Sequence, residues 1–269
     1  MNAATLKDSE FARFQRFIFD AAGITLSATK KPLVSGRLAK RVAQNGCASY
    51  TEYLDLLDDA SAAGEAQIAV DLLTTNETYF FREPKHFDLL RELALAARAE
   101  RRPLRVWSAA CSSGEEVYSM AMVLDDCFAG EASWEVMGSD ISSRVLQRAQ
   151  TGHYPMERGR HIPPAYLKRY CLRGTDEQAG TLLVDRALRR KVRFAQVNLN
   201  AALPRLDNFD VVFLRNVMIY FNGDTKRQVV ARVIDTIKPG GHFCIGHSES
   251  LNDISTAVRA LAPSIYRKP

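Results

Sequence analysis

Strand-like and helix-like segments alternate from residue 85 to the end of the chain, and this alternation limits the folds that the chain can adopt. Helical periodicity over residues 85–101 precedes a strand-like run at 104–110. Further strand-like runs, separated by helical patterns or turns, cover residues 134–139, 192–197, 209–214 and 242–246, the last after a turn predicted at 238–241. Strands that alternate with helices predict an α/β fold with a doubly wound, mostly parallel sheet.

The first 75 residues show a different pattern, because helical segments follow one another there without a strand. Apolar side chains recur at the three- and four-residue spacing of amphipathic helices. The predicted helices cover residues 10–22, 32–44, a segment that ends at 57, and 66–73. We therefore expect a helical domain at 1–75, a connecting motif and helix at 76–103, and an α/β domain at 104–269.

The second predicted helix carries basic side chains away from its apolar face. Arg37, Lys40 and Arg41 belong to this helix, and Lys30 and Lys31 come just before it. Such a row is usual for a solvated helix surface, and it also suits the docking of an acidic protein partner. The sequence leaves both interpretations open.

Composition and charge narrow the class of protein. Apolar residues make up 46% of the chain, and no run approaches the roughly 18 apolar residues of a membrane span. The N-terminus lacks the order of a secretory signal, so we expect a cytoplasmic protein that is not embedded in a membrane. The five cysteines and five histidines lack the spacing of metal ligands, so we predict no metal. The net charge of +5 comes without a nucleic-acid motif, so we predict no nucleic-acid partner.

Small or polar residues follow the predicted strands, at the edge where a doubly wound sheet binds ligands. They comprise the turn at 112–114 and the residues Asp140, Asn198, Arg215 and Asn216. Asp140 follows Gly114 by about 26 residues, close to the spacing of an acid that binds ribose hydroxyls. The turn holds one glycine, whereas a pyrophosphate site generally needs three. A nucleoside ligand such as S-adenosylmethionine is therefore favoured over NAD.

Residues 76–83 read NETYFFRE and combine three aromatic side chains with polar and charged ones just before Pro84. This clustering fits neither an amphipathic helix nor an alternating strand, and the proline favours a helix start. We expect a loop in which aromatic rings exclude water around a few oriented polar groups. A well-packed turn without a ligand is the alternative.

Five segments together resemble the chemotaxis receptor methyltransferases of the CheR family. They are NETYFFRE at 76–83, AACSSGEE at 109–116, GSDI at 138–141, RNVMIYF at 215–221 and GHSES at 246–250. The resemblance implies an S-adenosylmethionine-dependent O-methyltransferase that esterifies glutamate side chains on the cytoplasmic helices of bacterial chemoreceptors, serving adaptation in chemotaxis. It also implies a class I, Rossmann-like sheet with a small antiparallel β-subdomain, preceded by an all-α N-terminal domain.

The resemblance assigns roles to residues of this chain. Arg82 and Tyr220 are the catalytic candidates, and they would position the substrate carboxylate. The carboxylate needs no general base, because glutamate has an unperturbed pKa of about 4.3 and is ionised at neutral pH. Orientation, proximity and exclusion of water then remain as the means of catalysis.

The resemblance also implies a pocket for S-adenosylmethionine, with S-adenosylhomocysteine as the product. Asp140 would bind the ribose, whereas Asn198 and the Leu199 backbone would bind the adenine edge. Glu116 would face either the methionine moiety or a ribose hydroxyl, and both remain open. The implied pocket comprises Asn76, Thr78, Arg82, Glu116, Asp140, Asn198, Leu199, Arg215 and Asn216.

The alternation of strands and helices breaks in the stretch 153–191. Strand-like runs at 169–173 and 181–185 flank a loop at 174–180, which predicts a hairpin within an inserted β-subdomain at about 160–190. In some members of the resembled family this subdomain docks a short C-terminal receptor peptide as an added strand, and an exposed sheet edge would allow it. The sequence leaves such tethering open.

Two other functions remain open from the sequence. A class I methyltransferase that acts on nitrogen often carries Asn/Asp-Pro-Pro-Tyr after the fourth strand, but residues 216–220 read NVMIY without prolines. A cofactor-sensing adaptor would bind receptor and S-adenosylmethionine without turnover, and the presence of Arg82 and Tyr220 argues against it.

Overall fold

The computed structural model describes residues 5–129, 134–206 and 208–269, and the chain divides into two compact units. The first unit comprises Met1–Thr75 and Tyr220–Thr225, and the second comprises Asn76–Ile219 and Lys226–Pro269. Residues 1–4, part of the stretch in which we found no secretory signal, lie outside the described residues. Within the described ranges, no helix is both long and apolar enough to cross a membrane.

Helices build the first unit, as the sequence predicts. They are α1 (Asp8–Ala22), α2 (Lys31–Gln44), α3 (Tyr50–Leu57) and α4 (Ala63–Leu73). Gly23 ends α1 in the left-handed region with φ of 71°, and its N–H donates to the Phe19 carbonyl at 2.7 Å. The Ser49 hydroxyl caps α3 by accepting from the Glu52 N–H at 3.2 Å. The apolar faces of the helices supply the core, which includes Phe14, Ile18, Val34, Leu38 and Tyr53.

The two arginines of α2 make contacts within their own unit, and the role of this helix in docking a partner remains a prediction. Arg37 donates to two backbone carbonyls at the C-terminal end of α4, 2.9 and 3.1 Å away. Arg41 pairs with Glu65 near the start of α4, with Nε 2.9 Å from Oε1. Both side chains therefore fasten α2 to α4. Lys40 is the exposed basic residue within α2, and Lys30, just before the helix, is exposed as well.

A mostly parallel sheet forms the second unit. Its strands and those of the insert are β1 (Leu104–Ser108), β2 (Trp134–Asp140), β3 (His153–Pro155), β4 (Cys171–Arg173), β5 (Thr181–Val184), β6 (Val192–Gln196), β7 (Phe209–Leu214), β8 (Ile237–Ile245), β9 (Arg259–Ala262) and β10 (Ile265–Arg267). The main sheet of the described residues has the order β6-β2-β1-β7-β8-β10-β9. The first five strands in this order (β6, β2, β1, β7 and β8) run parallel to one another. Strand β10 runs antiparallel to both of its neighbours, β8 and β9. This confirms the predicted α/β sheet.

Helices connect these strands. They are α5 (Lys85–Ala99), α6 (Glu115–Phe128), α7 (Ser143–Thr151), α8 (Pro164–Tyr170), α9 (Arg186–Arg189) and α10 (Gly223–Asp235), the last of which begins in the segment Tyr220–Thr225. The strand–helix alternation places the N-termini of α6 and α7 directly after β1 and β2. The loops after these strands therefore lie at the carboxyl edge of the sheet, the edge at which such sheets bind ligands.

Strand β8 differs from the sequence prediction of a turn at 238–241 followed by a strand at 242–246. The paired strand starts at Ile237 and includes the predicted turn, and its register against β7 shifts between Phe209 and Val211. Gly240 has φ of 76°, so the glycines allow an irregularity inside the strand instead of ending it. The sequence analysis did not predict strands β9 and β10. Strand β10 has only three residues, and β9 is exposed throughout, so neither shows an alternation of buried and exposed side chains.

The insert forms a three-stranded antiparallel sheet in the order β3-β5-β4. The predicted hairpin is confirmed by the pairing of β4 with β5, but its first strand begins at Cys171 and not at residue 169. Tyr170 ends helix α8, where its ring lies 5.6 Å from that of Tyr166. Both tyrosines are buried, and their four-residue spacing suits one face of a helix.

Candidate active site

The turn after β1 is shaped by two residues with positive φ. Ser112 has φ of 49° and Gly114 has φ of 93°. A Cβ at Gly114 would lie 2.8 Å from the Cβ of Ala149, so glycine serves both the conformation and the close packing against α7. The Tyr154 hydroxyl donates to the Ser113 carbonyl at 2.7 Å. These contacts fix the turn directly before the N-terminus of α6.

Asp140, at the end of β2, anchors that turn with its carboxylate. Its Oδ2 accepts from the Ser112 N–H at 2.8 Å, and its Oδ1 accepts from the Ser142 N–H at 2.9 Å. The residue is 7% exposed. A carboxylate can accept several hydrogen bonds, and the binding of ribose hydroxyls by Asp140 remains a prediction.

The segment after β6 reaches the same edge of the sheet. The Val197 N–H donates to the Asp140 carbonyl at 3.0 Å, which places Asn198 beside the end of β2. The Leu199 carbonyl accepts from the Arg232 guanidinium at 2.9 Å. The Leu199 N–H is our candidate donor to the edge of an adenine ring. Its binding role remains a prediction.

Aromatic rings anchor the loop at residues 76–83. Phe80 is fully buried and meets the Tyr154 ring edge-on with centroids 5.1 Å apart. The Phe81 N–H donates to the Ser119 hydroxyl of α6 at 3.0 Å. The rings therefore hold this loop against the turn region and α6, in line with the expectation of a loop with apolar walls.

The same loop contains unusual backbone and joins the strand-end turn. Phe81 has φ of 56° and Glu83 has φ of 59°, both in the left-handed region. Such conformations cost on the order of 1–3 kcal/mol each and concentrate at functional sites. The Asn76 carbonyl accepts from the Ser112 hydroxyl at 2.8 Å. The structure thus brings the predicted residue Asn76 to the turn that Asp140 anchors.

Arg82 is available for an acidic ligand. Its guanidinium lies 5.7 Å from the centre of the Tyr79 ring, and Nη1 donates to the Glu77 carbonyl at 3.2 Å. Among the described residues, no carboxylate pairs with it. Most of its five N–H donors can therefore bind a planar acceptor.

Thr78 is held by an arginine that the sequence did not indicate. Its carbonyl accepts from Arg158 at 2.6 Å, and the same Nη1 lies 3.0 Å from Oε1 of Glu115. Burial raises the pKa of the fully buried Glu115 carboxyl. Arg158 comes from the insert, 80 positions after Thr78, and no local pattern predicts such a contact.

Arg215 and Glu116 hold each other at the centre of the site. The Arg215 side chain is 2% exposed, and its Nη1 donates to Glu116 Oε2 at 2.7 Å. Its Nη2 lies 3.0 Å from Glu83 Oε2 and also donates to the Arg82 carbonyl. Glu116 accepts in addition from the Ser108 hydroxyl at 2.7 Å. Both predicted pocket residues therefore support the site internally, and their contacts to a cofactor remain predictions.

Glu83 joins several of these residues, although the sequence did not assign it a role. It accepts from the His247 N–H at 3.2 Å and from the Asn216 side-chain amide at 3.4 Å, besides its pairing with Arg215. Burial opposes ionisation of Glu83, but Arg215 and the His247 N–H together outweigh burial and lower the pKa of Glu83 below its ordinary value. The sequence signal that could have indicated a role for Glu83 was its place at the end of the NETYFFRE segment.

His86 and His247 lie near Glu83, and such a group could in principle hold a metal ion, which the sequence did not predict. Ligand atoms of Glu83, His86 and His247 lie within 4.8 Å of one another. The Arg215 guanidinium already pairs with the Glu83 carboxylate, and its charge would repel a cation there. Burial and Arg215 lower the pKa of His86 to about 3, so this histidine is neutral at pH 7. The absence of a metal remains a prediction.

Tyr220 belongs to the segment that groups with the helical unit. Its carbonyl accepts from the Thr25 N–H at 2.8 Å, and Ile24 pairs with Phe221 as an antiparallel bridge. Arg82 belongs to the other compact unit. The joint catalytic assignment of Arg82 and Tyr220 therefore stays a prediction.

The strand-end groups together fit a nucleoside. An anchored carboxylate, a backbone N–H suited to an adenine edge and a single tight turn occur at one edge of the sheet. The turn lacks the repeated glycines with which a pyrophosphate site approaches its ligand.

Comparison with known proteins identifies the family. The family model described as the CheR methyltransferase SAM-binding domain matches residues 76–266, and that of the CheR all-alpha domain matches residues 9–74. A chemotaxis protein methyltransferase of Escherichia coli is 38% identical over 97% of this chain and 91% of its own. Chemotaxis protein methyltransferase 2 of Pseudomonas aeruginosa is 39% identical over 96% of this chain and 92% of its own. The cofactor is S-adenosylmethionine, and the chain belongs to the CheR family of chemotaxis protein methyltransferases.

Proposed function

We propose that this methyltransferase esterifies glutamate side chains on the cytoplasmic helices of bacterial chemoreceptors. The observation that carries the proposal is Arg82, a cation in the loop at residues 76–83 that lacks a carboxylate partner among the described residues. An acidic acceptor would supply that partner. A neutral amine or amide acceptor would leave this guanidinium without a charged ligand.

The residues of this chain would act by orientation. When bound, S-adenosylmethionine supplies a methyl group on a positively charged sulfur. Arg82 would hold the acceptor carboxylate in a planar fork, and the Tyr220 hydroxyl would donate one further hydrogen bond. One carboxylate oxygen then forms the O–C bond as the C–S bond breaks, so that an ester and a neutral thioether result. Asp140 and Asn198 would position the nucleoside, and the aromatic loop would exclude water.

The acceptor residue can be tested on the receptor itself. A receptor cytoplasmic fragment is incubated with the enzyme and S-adenosylmethionine carrying a tritiated methyl group, and the labelled segment is located by proteolysis. Each glutamate of that segment is then replaced by glutamine. We expect label to disappear from each position that carries an acceptor glutamate. Unchanged label on a fragment whose segment contains no glutamate would refute the proposal.

Lys40 is our candidate for the basic side of the receptor contact, because Arg37 and Arg41 are engaged with α4. An exposed charge acts at long range, mainly on association, and is screened by salt. We predict that Lys40→Glu raises the apparent KM for receptor about two- to tenfold at low salt, corresponding to up to about 1.4 kcal/mol. Kinetics with receptor at several salt concentrations provide the measurement.

The matched control for Lys40→Glu is Arg16→Glu, which makes the same charge change on an exposed residue of α1. It should leave the KM for receptor close to the wild-type value. Equal effects of both variants, or none from Lys40→Glu, would show that α2 is only a solvated surface.

The small sheet of the insert is our candidate dock for a receptor C-terminal peptide. Strand β4 lies at the edge of that sheet, and its Leu172 is 55% exposed. An edge strand offers backbone donors and acceptors to an added strand, and the exposed apolar side chain offers a contact beside them. A receptor shortened by its C-terminal residues, compared with the full-length form, measures whether this contact is used.

A further inference from the structure

The loop after β7 is held by a carboxylate from the loop after β8. Glu249 accepts from the Asn216 N–H at 2.9 Å and from the Met218 N–H at 2.8 Å. It also accepts from the Gly246 N–H at 2.7 Å, so it is bound within its own turn. One side chain thus satisfies backbone donors of two separate loops.

The two loops approach each other closely at Gly246. A Cβ on this glycine would lie 2.4 Å from Nδ2 and 2.9 Å from the backbone nitrogen of Asn216. Asn216 itself has φ of 56°, a conformation that needs support from its surroundings. Its side-chain amide is turned toward Glu83, with Nδ2 3.4 Å from Oε1. Asn216 is therefore held at its backbone by Glu249 and at its side chain by Glu83.

We infer that Glu249 is a positioning residue for methyl transfer, acting through the segment 216–220. It fixes Asn216, which the cofactor assignment includes, and it fixes Met218, two residues before the catalytic candidate Tyr220. The inference rests on the proposed function for those two roles. The inference also gives a role to the GHSES segment at 246–250, which contains no residue assigned to the cofactor or to the acceptor carboxylate.

The chemistry of Glu249 requires a carboxylate and not merely a polar group. A carboxylate has acceptors on both oxygens, whereas a glutamine has one oxygen and an NH₂ group that only donates. In Glu249→Gln, an NH₂ group would face a backbone N–H, and the segment would have to shift. Displacements of about 1 Å near a reacting centre can cost up to about a hundredfold in rate.

The experiment compares Glu249→Gln, Gly246→Ala and the control Glu92→Gln, which removes an exposed charge from α5. Affinity for S-adenosylhomocysteine is measured by calorimetry, and kcat and KM for receptor are measured by methyl transfer. The fraction of folded protein is measured by circular dichroism at the assay temperature. We expect Glu249→Gln and Gly246→Ala to lower kcat about ten- to a hundredfold, with KM for receptor unchanged and the control equal to wild type.

Two results would overturn the inference. One is a kcat and an S-adenosylhomocysteine affinity of Glu249→Gln within twofold of wild type. The other is a loss of activity in both variants that equals the loss of folded protein, since that would show a purely structural role. A wild-type enzyme that labels no receptor would instead count against the proposed function, and the calorimetric comparison would still decide whether Glu249 orders the cofactor site.

Discussion

Replacing Asp140 by alanine is expected to weaken binding of S-adenosylhomocysteine by about 1.5–3 kcal/mol, the usual contribution of hydrogen bonds to a charged acceptor. The carboxylate both orders the Ser112 turn and lies where the ribose is expected. Asp140→Asn keeps one acceptor oxygen and should show a smaller loss. Isothermal titration calorimetry measures both affinities.

The Asp140 variants need a stability control, because the Asp140 carboxylate accepts hydrogen bonds from the buried N–H groups of Ser112 and Ser142. Leaving such donors unpaired costs about 1–3 kcal/mol each, so the thermal midpoint of Asp140→Ala should fall. Titrations are therefore done well below that midpoint, with Asp88→Asn, an exposed change on α5, as the matched control. An affinity of Asp140→Ala equal to that of wild type would remove Asp140 from the cofactor site.

Replacing Arg82 by alanine should lower receptor methylation about tenfold to a hundredfold, because each hydrogen bond to a charged group contributes about 1.5–3 kcal/mol. The loop that carries Arg82 also contacts the Ser112 turn through the Asn76 carbonyl, and both are assigned to the cofactor pocket. We therefore expect S-adenosylhomocysteine to bind more weakly as well. Arg82→Lys keeps the charge but not the planar fork and should recover only part of the rate. Steady-state kinetics and calorimetry give the two quantities.

Replacing Tyr220 by phenylalanine should separate the effect on the methylation rate from the effect on cofactor binding. The change removes a hydroxyl and keeps the ring, so it should reduce kcat more than it weakens cofactor binding. Tyr79→Phe provides a matched control, since that ring lies beside Arg82 but has no assigned hydrogen bond to substrate. Normal turnover in both Arg82→Ala and Tyr220→Phe would refute their catalytic assignment.

The architecture could be predicted because it depends on local patterns. Strand β7 has a near-continuous apolar sequence that suits a parallel strand covered on both faces, and all but one of its residues are buried. The helical unit follows from apolar spacing and from residues such as Gly23 and Ser49. The errors in β8 and β4 arose where glycines or tyrosines suit two structures, and pairing with a neighbouring strand or helix decided between them.

The interior of the site could be predicted only in part. Asp140, Asn198 and Arg215 follow strands, so topology alone brings them to one edge. The contacts of Glu83 with Arg215, of Arg158 with Thr78 and of Glu249 with Asn216 join segments far apart in sequence. No periodicity encodes such pairs. For the same reason, charge alone could not show that Arg37 and Arg41 are engaged with α4.

The bond formed on the receptor tests the central claim most directly. Receptor labelled with tritiated methyl groups by this enzyme is treated with mild base, and volatile methanol is separated from the protein. A glutamate methyl ester hydrolyses under these conditions, so we predict that the label leaves the receptor as methanol. Label that stays on the protein through base treatment would show methylation of nitrogen and contradict the proposal.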